Sequence, residues 1–316
     1  MAKKRILSID GGGIRGIIPL CALIELEKVT GKPTRELFDL IAGTSTGAII
    51  AGGLAHGLSA ERCLEIYQEG STTVFRRDWI LWLTSLFSYK YRTAPLHELL
   101  HKFLDNPKLN ELPIDVMITA TQVSNGRPWY FVRDNPANAQ TTGELKLIDC
   151  IAASSAAPTY FEPWVVPGIG ACVDGGVGIA GNPVYQSCVE AFYYTPVGNY
   201  TPEDTLVVSL GTGYYAAKNN PQNIIAWALF VVGELLQVPA EQQTALVLRH
   251  FPQSRPYRWN PELPRDIALD SIHEIPMLIE IGQKAAKLLD WPAILAGSSE
   301  SNRAMQSQRV MQRNQP

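Results

Sequence analysis

The chain has 316 residues, a hydrophobic content of 46% and a formal net charge of −3 at pH 7. This length and hydrophobic content are sufficient for a large buried core, in one large α/β domain or in two ordinary domains. The slightly negative charge gives no general electrostatic reason to expect binding to nucleic acid. The five cysteines form no C-x-x-C pair, which is typical of small buried side chains in a reducing compartment and argues against a disulfide scaffold.

The N-terminus has the positive charge of a secretion signal but not its apolar segment. Lys3, Lys4 and Arg5 are followed by the short run ILSI, which Asp10 and a series of glycines interrupt. The longest charge-free apolar run lies near residues 224–233 and is about half as long as a membrane-spanning helix requires. We therefore expect a cytoplasmic protein, with peripheral contact at the membrane as an alternative.

Apolar runs and periodicities predict strands that alternate with helices. The predicted strands cover residues 4–10, 37–42, 113–121, 128–132, 171–173 and 205–210. The predicted helices cover residues 17–29, 48–56, 59–69, 96–104, 145–157, 182–192, 224–250 with a break at Pro239, and 275–289. This alternation is typical of a three-layer α/β/α fold with a mostly parallel central sheet.

No linker is convincing enough to divide the chain, so we expect residues 1–316 to form a single domain. Within it, the motifs described below occupy about residues 4–215. The part from about 216 to 300 is predicted to be mainly helical, and the polar residues 301–316 to be a frayed tail.

The pentapeptide GTSTG at residues 43–47 follows an apolar strand and precedes a segment of small residues. Such a G-x-S-x-G elbow places its serine, here Ser45, on a strained turn at the carboxyl end of a sheet, with the hydroxyl exposed. Gly43 and Gly47 lack the Cβ atoms that would collide where the helix folds back on the strand. The alternative is an ordinary Gly/Ser-rich helix start with a capping hydroxyl.

The glycine loop DGGGIRG at residues 10–16 also lies between a strand and a helix. Its spacing fits the G-x-G-x-x-G fingerprint of dinucleotide-binding proteins, for which Asp39 is the nearest candidate acid. However, Asp39 lies near the start of the strand whose end carries the serine elbow. The other interpretation is that the backbone amides of this loop face a developing oxyanion. Arg15 would then either steady the loop or meet an anionic group.

A base for Ser45 is harder to find among the histidines, because neither His250 nor His273 follows a clear strand in a glycine-rich loop. Asp174, by contrast, follows a short apolar strand, and Gly175 and Gly176 permit a tight turn that exposes its carboxylate. An ordinary Asp-Gly turn is the alternative.

Together these motifs resemble the patatin-like phospholipase family. The motifs that carry the resemblance are DGGGIRG at 10–16, GTSTG at 43–47, ASSAAPTYF at 153–161 and DGG at 174–176. The resemblance covers about residues 4–215, and the order of the motifs matches as well. It implies a Ser45–Asp174 dyad without a histidine, and an oxyanion hole formed by Gly11, Gly12 and Gly13.

The resemblance also implies an activity. A lipid acyl hydrolase of phospholipase A, lysophospholipase or esterase type would release fatty acids from phospholipids or other acyl-ester lipids through an acyl-enzyme. Neither metal nor cofactor is expected. In this interpretation Arg15 and Gly16 support the glycine loop. A dinucleotide-binding protein remains the further alternative.

Residues 71–94 combine tryptophans with flanking cationic residues. Taken as a helix, this segment places Trp79, Trp82, Leu83 and Leu86 on one face, which suits a lid or an interfacial anchor over about residues 79–87. The alternative is a cap helix whose tryptophans pack on the core. Either arrangement would contribute to an apolar acyl groove.

The C-terminal third resembles the family much less than the rest of the chain. Some bacterial members of the family are phospholipases that cyclic nucleotides switch on in anti-phage defence. Residues 216–316 could accordingly hold a site for a nucleotide activator or a homo-oligomer interface, although no residue in them specifies a nucleotide pocket.

Overall fold

The computed structural model of the protein describes residues 3–75, 89–137, 141–195, 199–215, 222–223, 227 and 239–297. Within these ranges one sheet contains the strands β1 Lys4–Ile9, β2 Leu40–Gly43, β3 Asp115–Gln122, β4 Pro128–Phe131, β5 Trp164–Val166, β6 Gly170–Asp174, β7 Thr205–Leu210 and β8 Tyr257–Trp259. The strand order is β5-β6-β3-β2-β1-β7-β8, and β4 pairs with β3 outside this path.

The helices follow the same chain order. They are α1 Ile17–Thr30, α2 Thr34–Leu37, α3 Thr46–His56, α4 Ala60–Val74, α5 Ala94–Phe103, α6 Leu147–Ser154, α7 Val184–Val189, α8 over residues 239–250, α9 Ile275–Ala286 and α10 Trp291–Ala296. Ser59 caps α4, since its hydroxyl accepts a hydrogen bond from the Arg62 amide at 3.1 Å. This cap fixes the start of the helix that the sequence predicts over residues 59–69.

The sheet separates two apolar cores, which confirms the three-layer α/β/α prediction. Along β1, Leu7 and Ile9 face the larger core with α1, α3, α4 and α9, whereas Ile6 faces a second core with α7 and α8. All six residues of β7 are buried. A strand buried on both faces is an apolar run rather than an alternating pattern, and the sequence TLVVSL has this character.

The parallel part of the sheet is its centre. Strands β3, β2, β1, β7 and β8 are parallel neighbours, whereas β4 and β6 pair antiparallel with β3, and β5 pairs antiparallel with β6. The carboxyl ends of the parallel strands therefore meet at one edge of the sheet, where ligands of open α/β sheets bind. The antiparallel strands β5 and β6 bring the DGG turn to this edge.

Most predicted elements match observed ones, but the short helices α2 and α10 were not predicted, and Leu37 ends α2 instead of beginning a strand. β5 and β8 have three residues each and were not predicted. β8 lies in the region predicted to be mainly helical, and its central residue, Arg258, is buried. The proposed lid over residues 79–87 and the tail over 301–316 fall outside the described residues. Within the described ranges, no helical segment combines the length and the hydrophobicity needed to cross a bilayer.

Candidate active site

The serine of the elbow and the aspartate of the DGG turn lie at the same level of the sheet and on the same side of β3, where β6 pairs with β3 just beyond the end of β2. Gly43 pairs with Ile118, and Asp174 pairs with Ala120. Because β2 and β3 are parallel, Ser45, two residues beyond Gly43, is level with Ala120. The sheet register thus brings together two groups that are far apart in the chain.

The backbone at Ser45 is strained. Its φ is 56° and its ψ is −123°, a conformation that residues other than glycine rarely adopt. The flanking glycines permit the close packing that this turn needs. A Cβ on Gly43 would lie 2.0 Å from the Gly47 carbonyl oxygen, and a Cβ on Gly47 would lie 2.2 Å from the Ile9 carbonyl oxygen. Strand, elbow and helix therefore have the geometry of a nucleophile elbow.

Asp174 is almost completely buried, with 1% of its surface exposed. Its Oδ1 accepts a hydrogen bond from the Gly176 amide at 2.8 Å. Its Oδ2 is buried and has no hydrogen-bond partner among the described residues. The Ser45 hydroxyl lies near enough to the Asp174 carboxyl group to lower its pKa, but the two groups do not form a hydrogen bond in this structure. Oδ2 is therefore the oxygen that is available to a proton from Ser45.

Burial changes the proton affinity of this carboxyl group. Loss of solvent raises the pKa of Asp174 from 3.8 to about 6, against the opposing effects of the Ser45 hydroxyl and the Gly176 amide. A buried carboxylate that has no cationic partner among the causes of its pKa shift is typical of functional sites rather than of structural ion pairs.

The segment Ser154-Ser155-Ala156 braces both candidate residues, a role that the sequence did not predict. The Ser154 hydroxyl accepts a hydrogen bond from the Ser45 amide at 2.8 Å, and the Ser155 hydroxyl donates to the Ser45 carbonyl at 3.4 Å. The Asp174 amide donates to the Ala156 carbonyl at 3.1 Å. These residues belong to the motif ASSAAPTYF, so the motif itself was the signal.

The glycine loop ends beside the elbow because β1 and β2 are parallel neighbours, with Ile9 paired to Gly43. The Gly11 amide already donates to the Gly181 carbonyl at 2.9 Å, whereas the amides of Gly12 and Gly13 have no acceptor among the described residues. Of the three amides predicted to form an oxyanion hole, that of Gly11 is therefore already engaged in a backbone hydrogen bond.

Side chains around the loop explain its glycines and its arginine. A Cβ on Gly12 would lie 2.2 Å from Thr212 Oγ1, and a Cβ on Gly16 would lie 2.2 Å from Thr46 Oγ1. Arg15 is buried, and its Nε donates to the Gly12 carbonyl at 3.3 Å. Burial lowers the pKa of Arg15, against the opposing effect of Asp266 above all. Arg15 was expected either to steady the loop or to meet an anionic group, and its hydrogen bond to Gly12 agrees with the first role.

An apolar cavity opens at Ser45 between α3, α4 and α5. Its wall also includes Tyr67, whose hydroxyl forms hydrogen bonds with the hydroxyl and the carbonyl of Thr46. The apolar side chains that line it include Ile49, Ile66, Val74, Leu96, Leu99 and Phe161. The arrangement combines a hydroxyl, a carboxylate and two amides that have no acceptor in the described part of the chain, at the end of an apolar cavity.

None of the five histidines, all of which are described, lines this cavity. Each has a neighbour elsewhere: His250 with Tyr185 at 2.9 Å, His97 with Asp149 at 3.3 Å, His273 with Glu274 at 3.3 Å, His56 with Asp105 at 3.7 Å, and His101 against the ring of His97. No histidine is therefore placed to act as the base, whereas Asp174 lies beside Ser45.

The dinucleotide interpretation does not fit this geometry. The Asp39 carboxylate accepts hydrogen bonds from Lys4 Nζ and the Arg5 amide, both at 2.8 Å. These contacts lie where β1 and β2 begin, at the opposite edge of the sheet from the glycine loop. Asp39 cannot reach a ribose bound beside that loop.

Comparison with known proteins agrees with these motifs. The family model Patatin-like phospholipase matches residues 7–186. A "cGAMP-activated phospholipase" of Escherichia coli is 33% identical over 66% of this chain and 62% of its own length. A protein of the same name from Vibrio cholerae is 30% identical over 78% of this chain and 77% of its own length.

The "85/88 kDa calcium-independent phospholipase A2" of Mus musculus is 30% identical over 85% of this chain, but over only 37% of its own length. The chain thus spans less than two thirds of the Escherichia coli and mouse relatives. The match to the family model covers more than half of the chain and includes the elbow, the glycine loop and the DGG turn. The chain belongs to the patatin-like phospholipase family.

Proposed function

We propose that this protein hydrolyses acyl-ester lipids through an acyl-enzyme formed on Ser45. The observation that carries the proposal is the strained Ser45 beside a buried Asp174 oxygen that has no hydrogen-bond partner among the described residues, at the end of an apolar cavity. Membership of the patatin-like phospholipase family and the names of the relatives support the same class of reaction.

In the first step the Ser45 hydroxyl gives its proton to Asp174 Oδ2 while Oγ bonds to the ester carbonyl carbon. The tetrahedral intermediate carries its negative charge on the former carbonyl oxygen. When the bond to the alcohol breaks, the departing oxygen takes the proton back from Asp174. The acyl group then remains on Ser45.

In the second step a water molecule gives a proton to the same carboxylate, and its oxygen attacks the acyl carbon. Ser45 leaves as the tetrahedral intermediate collapses and recovers its proton, which releases the fatty acid. A carboxylate with a pKa near 4 is a weak base for a hydroxyl. The raised pKa of Asp174, about 6, makes it a stronger one.

The amides of Gly12 and Gly13 are the donors that we assign to the developing oxyanion. Both lack an acceptor among the described residues. A preorganised donor of this kind typically stabilises the transition state by roughly 3–4 kcal/mol. The apolar cavity between α3, α4 and α5 would hold the acyl chain, since its lining offers a hydrocarbon chain contacts in place of water.

Removal of either dyad member should abolish hydrolysis. We expect Ser45→Ala and Asp174→Asn each to lower kcat about 10³-fold or more with p-nitrophenyl butyrate, because each variant lacks the nucleophile or the base. Asp204→Asn is the matched control, since this carboxylate pairs with Lys3 at the surface and should be neutral. If Asp174→Asn stayed near wild type while His250→Ala lost activity, the dyad would be wrong.

Activity should depend on an ionised carboxylate with a pKa of about 6. Below that pH the raised pKa of Asp174 leaves it protonated, so kcat/KM should fall about tenfold per pH unit. The measurement is a pH profile of p-nitrophenyl butyrate hydrolysis, corrected for irreversible inactivation. A profile that stays flat down to pH 4 would contradict a base with a raised pKa, and the activity of Asp174→Asn would then decide whether Asp174 is the base.

The cavity should determine which acyl chains are accepted. Val74→Phe adds a ring to the lining, so we expect kcat/KM for p-nitrophenyl palmitate to fall about tenfold while that for the acetate stays near wild type. Val29→Phe is the control, because Val29 lies on α1 and is 47% exposed. Equal losses on the two esters would contradict the assignment of this cavity to the acyl chain.

Gating by a cyclic dinucleotide is a second candidate property. It is supported by the name "cGAMP-activated phospholipase" of the Escherichia coli and Vibrio cholerae relatives. The match to the latter covers 275 residues, so it extends beyond the 180-residue stretch of the family model, residues 7–186.

If the chain shares this gating, cGAMP should raise fatty-acid release from phospholipid vesicles by about tenfold or more, a coupling typical of allosteric effectors. Cyclic di-AMP at the same concentration tests the specificity, and Ser45→Ala with cGAMP tests the dependence on the proposed nucleophile. High activity without nucleotide that cGAMP leaves unchanged would exclude gating.

A further inference from the structure

A buried ion pair joins the glycine loop to the C-terminal part of the chain. Arg258 Nη1 donates to Asp10 Oδ1 at 2.8 Å, and Nη2 donates to Asp10 Oδ2 at 2.6 Å. The exposed fractions of the two side chains are 3% and 6%. Asp10 is the first residue of the motif DGGGIRG, and Arg258 is the central residue of β8. This bidentate geometry orients both planar groups.

Arg258 is itself held from two further directions. Its Nη1 also donates to the Ser209 hydroxyl on β7 at 2.9 Å, and its Nε lies 3.6 Å from Glu241 Oε1 on α8. Burial alone would lower the pKa of Arg258, but Asp10 and then Glu241 raise it above its ordinary value. The guanidinium therefore stays charged and fixed between β7, β8 and α8.

Two further contacts hold the same loop. The Ile14 amide donates to the Leu269 carbonyl at 2.8 Å, and the Thr212 hydroxyl donates to the Gly11 carbonyl at 2.9 Å. Between these anchors lie the amides of Gly12 and Gly13, which have no acceptor among the described residues. The direction in which they point depends on the anchors on either side.

We propose that Arg258 is a positioning residue, which acts through Asp10 to aim the Gly12 and Gly13 amides at the oxyanion. This inference rests on the proposed function, because it requires a reaction in which those amides take part. It also gives the C-terminal part of the chain a role in the active site that the four motifs do not contain.

The form of the interaction favours orientation over stability. A buried ion pair is often no more stabilising than a well-packed apolar pair, because both charges lose their hydration. What the guanidinium provides is a rigid fork that matches the carboxylate at two points. Lysine keeps the charge but cannot form this fork, so Arg258→Lys separates orientation from charge.

The test uses the full chain with Arg258→Lys, Asp10→Asn and the double variant. The control is Arg265→Lys, since Arg265 pairs with Glu274 at 2.8 Å and is 58% exposed. A fluorophosphonate, incubated until labelling is complete, counts the active serines in each preparation. Hydrolysis of p-nitrophenyl butyrate then gives KM, and kcat per labelled site, while thermal unfolding reports stability separately.

We expect kcat per labelled site to fall about 10- to 100-fold in Arg258→Lys and in Asp10→Asn, because misdirected oxyanion donors affect the transition state more than substrate binding. KM should stay within about twofold of wild type. The double variant should lose little more than the worse single variant, since both remove one interaction. Arg265→Lys should behave as wild type.

Wild-type kcat per labelled site in Arg258→Lys or in Asp10→Asn, even with reduced thermal stability, would overturn the positioning role and leave the proposed function intact. Wild-type protein without Ser45-dependent hydrolysis of any acyl ester, both with and without cGAMP, would overturn both. Asp10→Asn is nearly isosteric and serves as the second variant if Arg258→Lys does not fold.

Discussion

The parallel pairing of β1, β2 and β3 is the constraint on which the site depends. It places the glycine loop and the serine elbow side by side at one edge of the sheet, with Ile9 opposite Gly43. The fit is close, because a Cβ on Gly47 would lie 2.2 Å from the Ile9 carbonyl oxygen. Through β3, the same register sets Ser45 level with Asp174. The chemistry proposed for these residues therefore follows from strand pairing.

Two buried carboxylates at this edge of the sheet, Asp10 and Asp174, differ in their hydrogen-bond partners. Asp10 is matched on both oxygens by the guanidinium of Arg258, as a buried charge requires. Among the described residues, Asp174 has a hydrogen-bond partner for Oδ1 alone. Burial raises the pKa of both carboxyl groups. An unsatisfied buried polar atom calls for an explanation. Here the proton of Ser45 supplies one, since the same oxygen would receive it during acyl transfer.

Polar side chains remote in sequence complete the site. Ser154 braces the Ser45 amide across 109 positions of the chain, and Arg258 reaches Asp10 across 248. Ser154 is marked only by its place in the motif ASSAAPTYF, and Arg258 has no local signal, because a hydrogen bond between distant residues leaves no periodicity in either segment. β8 was not predicted for the same reason. Its three residues include an arginine, which is buried only because it pairs with the distant Asp10.

The sequence by itself determined the fold class, most element positions, the elbow and the four motifs, since apolar periodicity and glycine spacing are local properties. It also indicated Asp174 as the better base, through a turn after a short strand. Only the tertiary structure decided which loop amides are free, because the Gly11 amide is occupied by Gly181. It likewise decided against Asp39 as a nucleotide ligand, since strand direction places that carboxylate at the opposite edge of the sheet. Both results depend on which residues from distant parts of the chain come into contact, and only the tertiary structure determines those contacts.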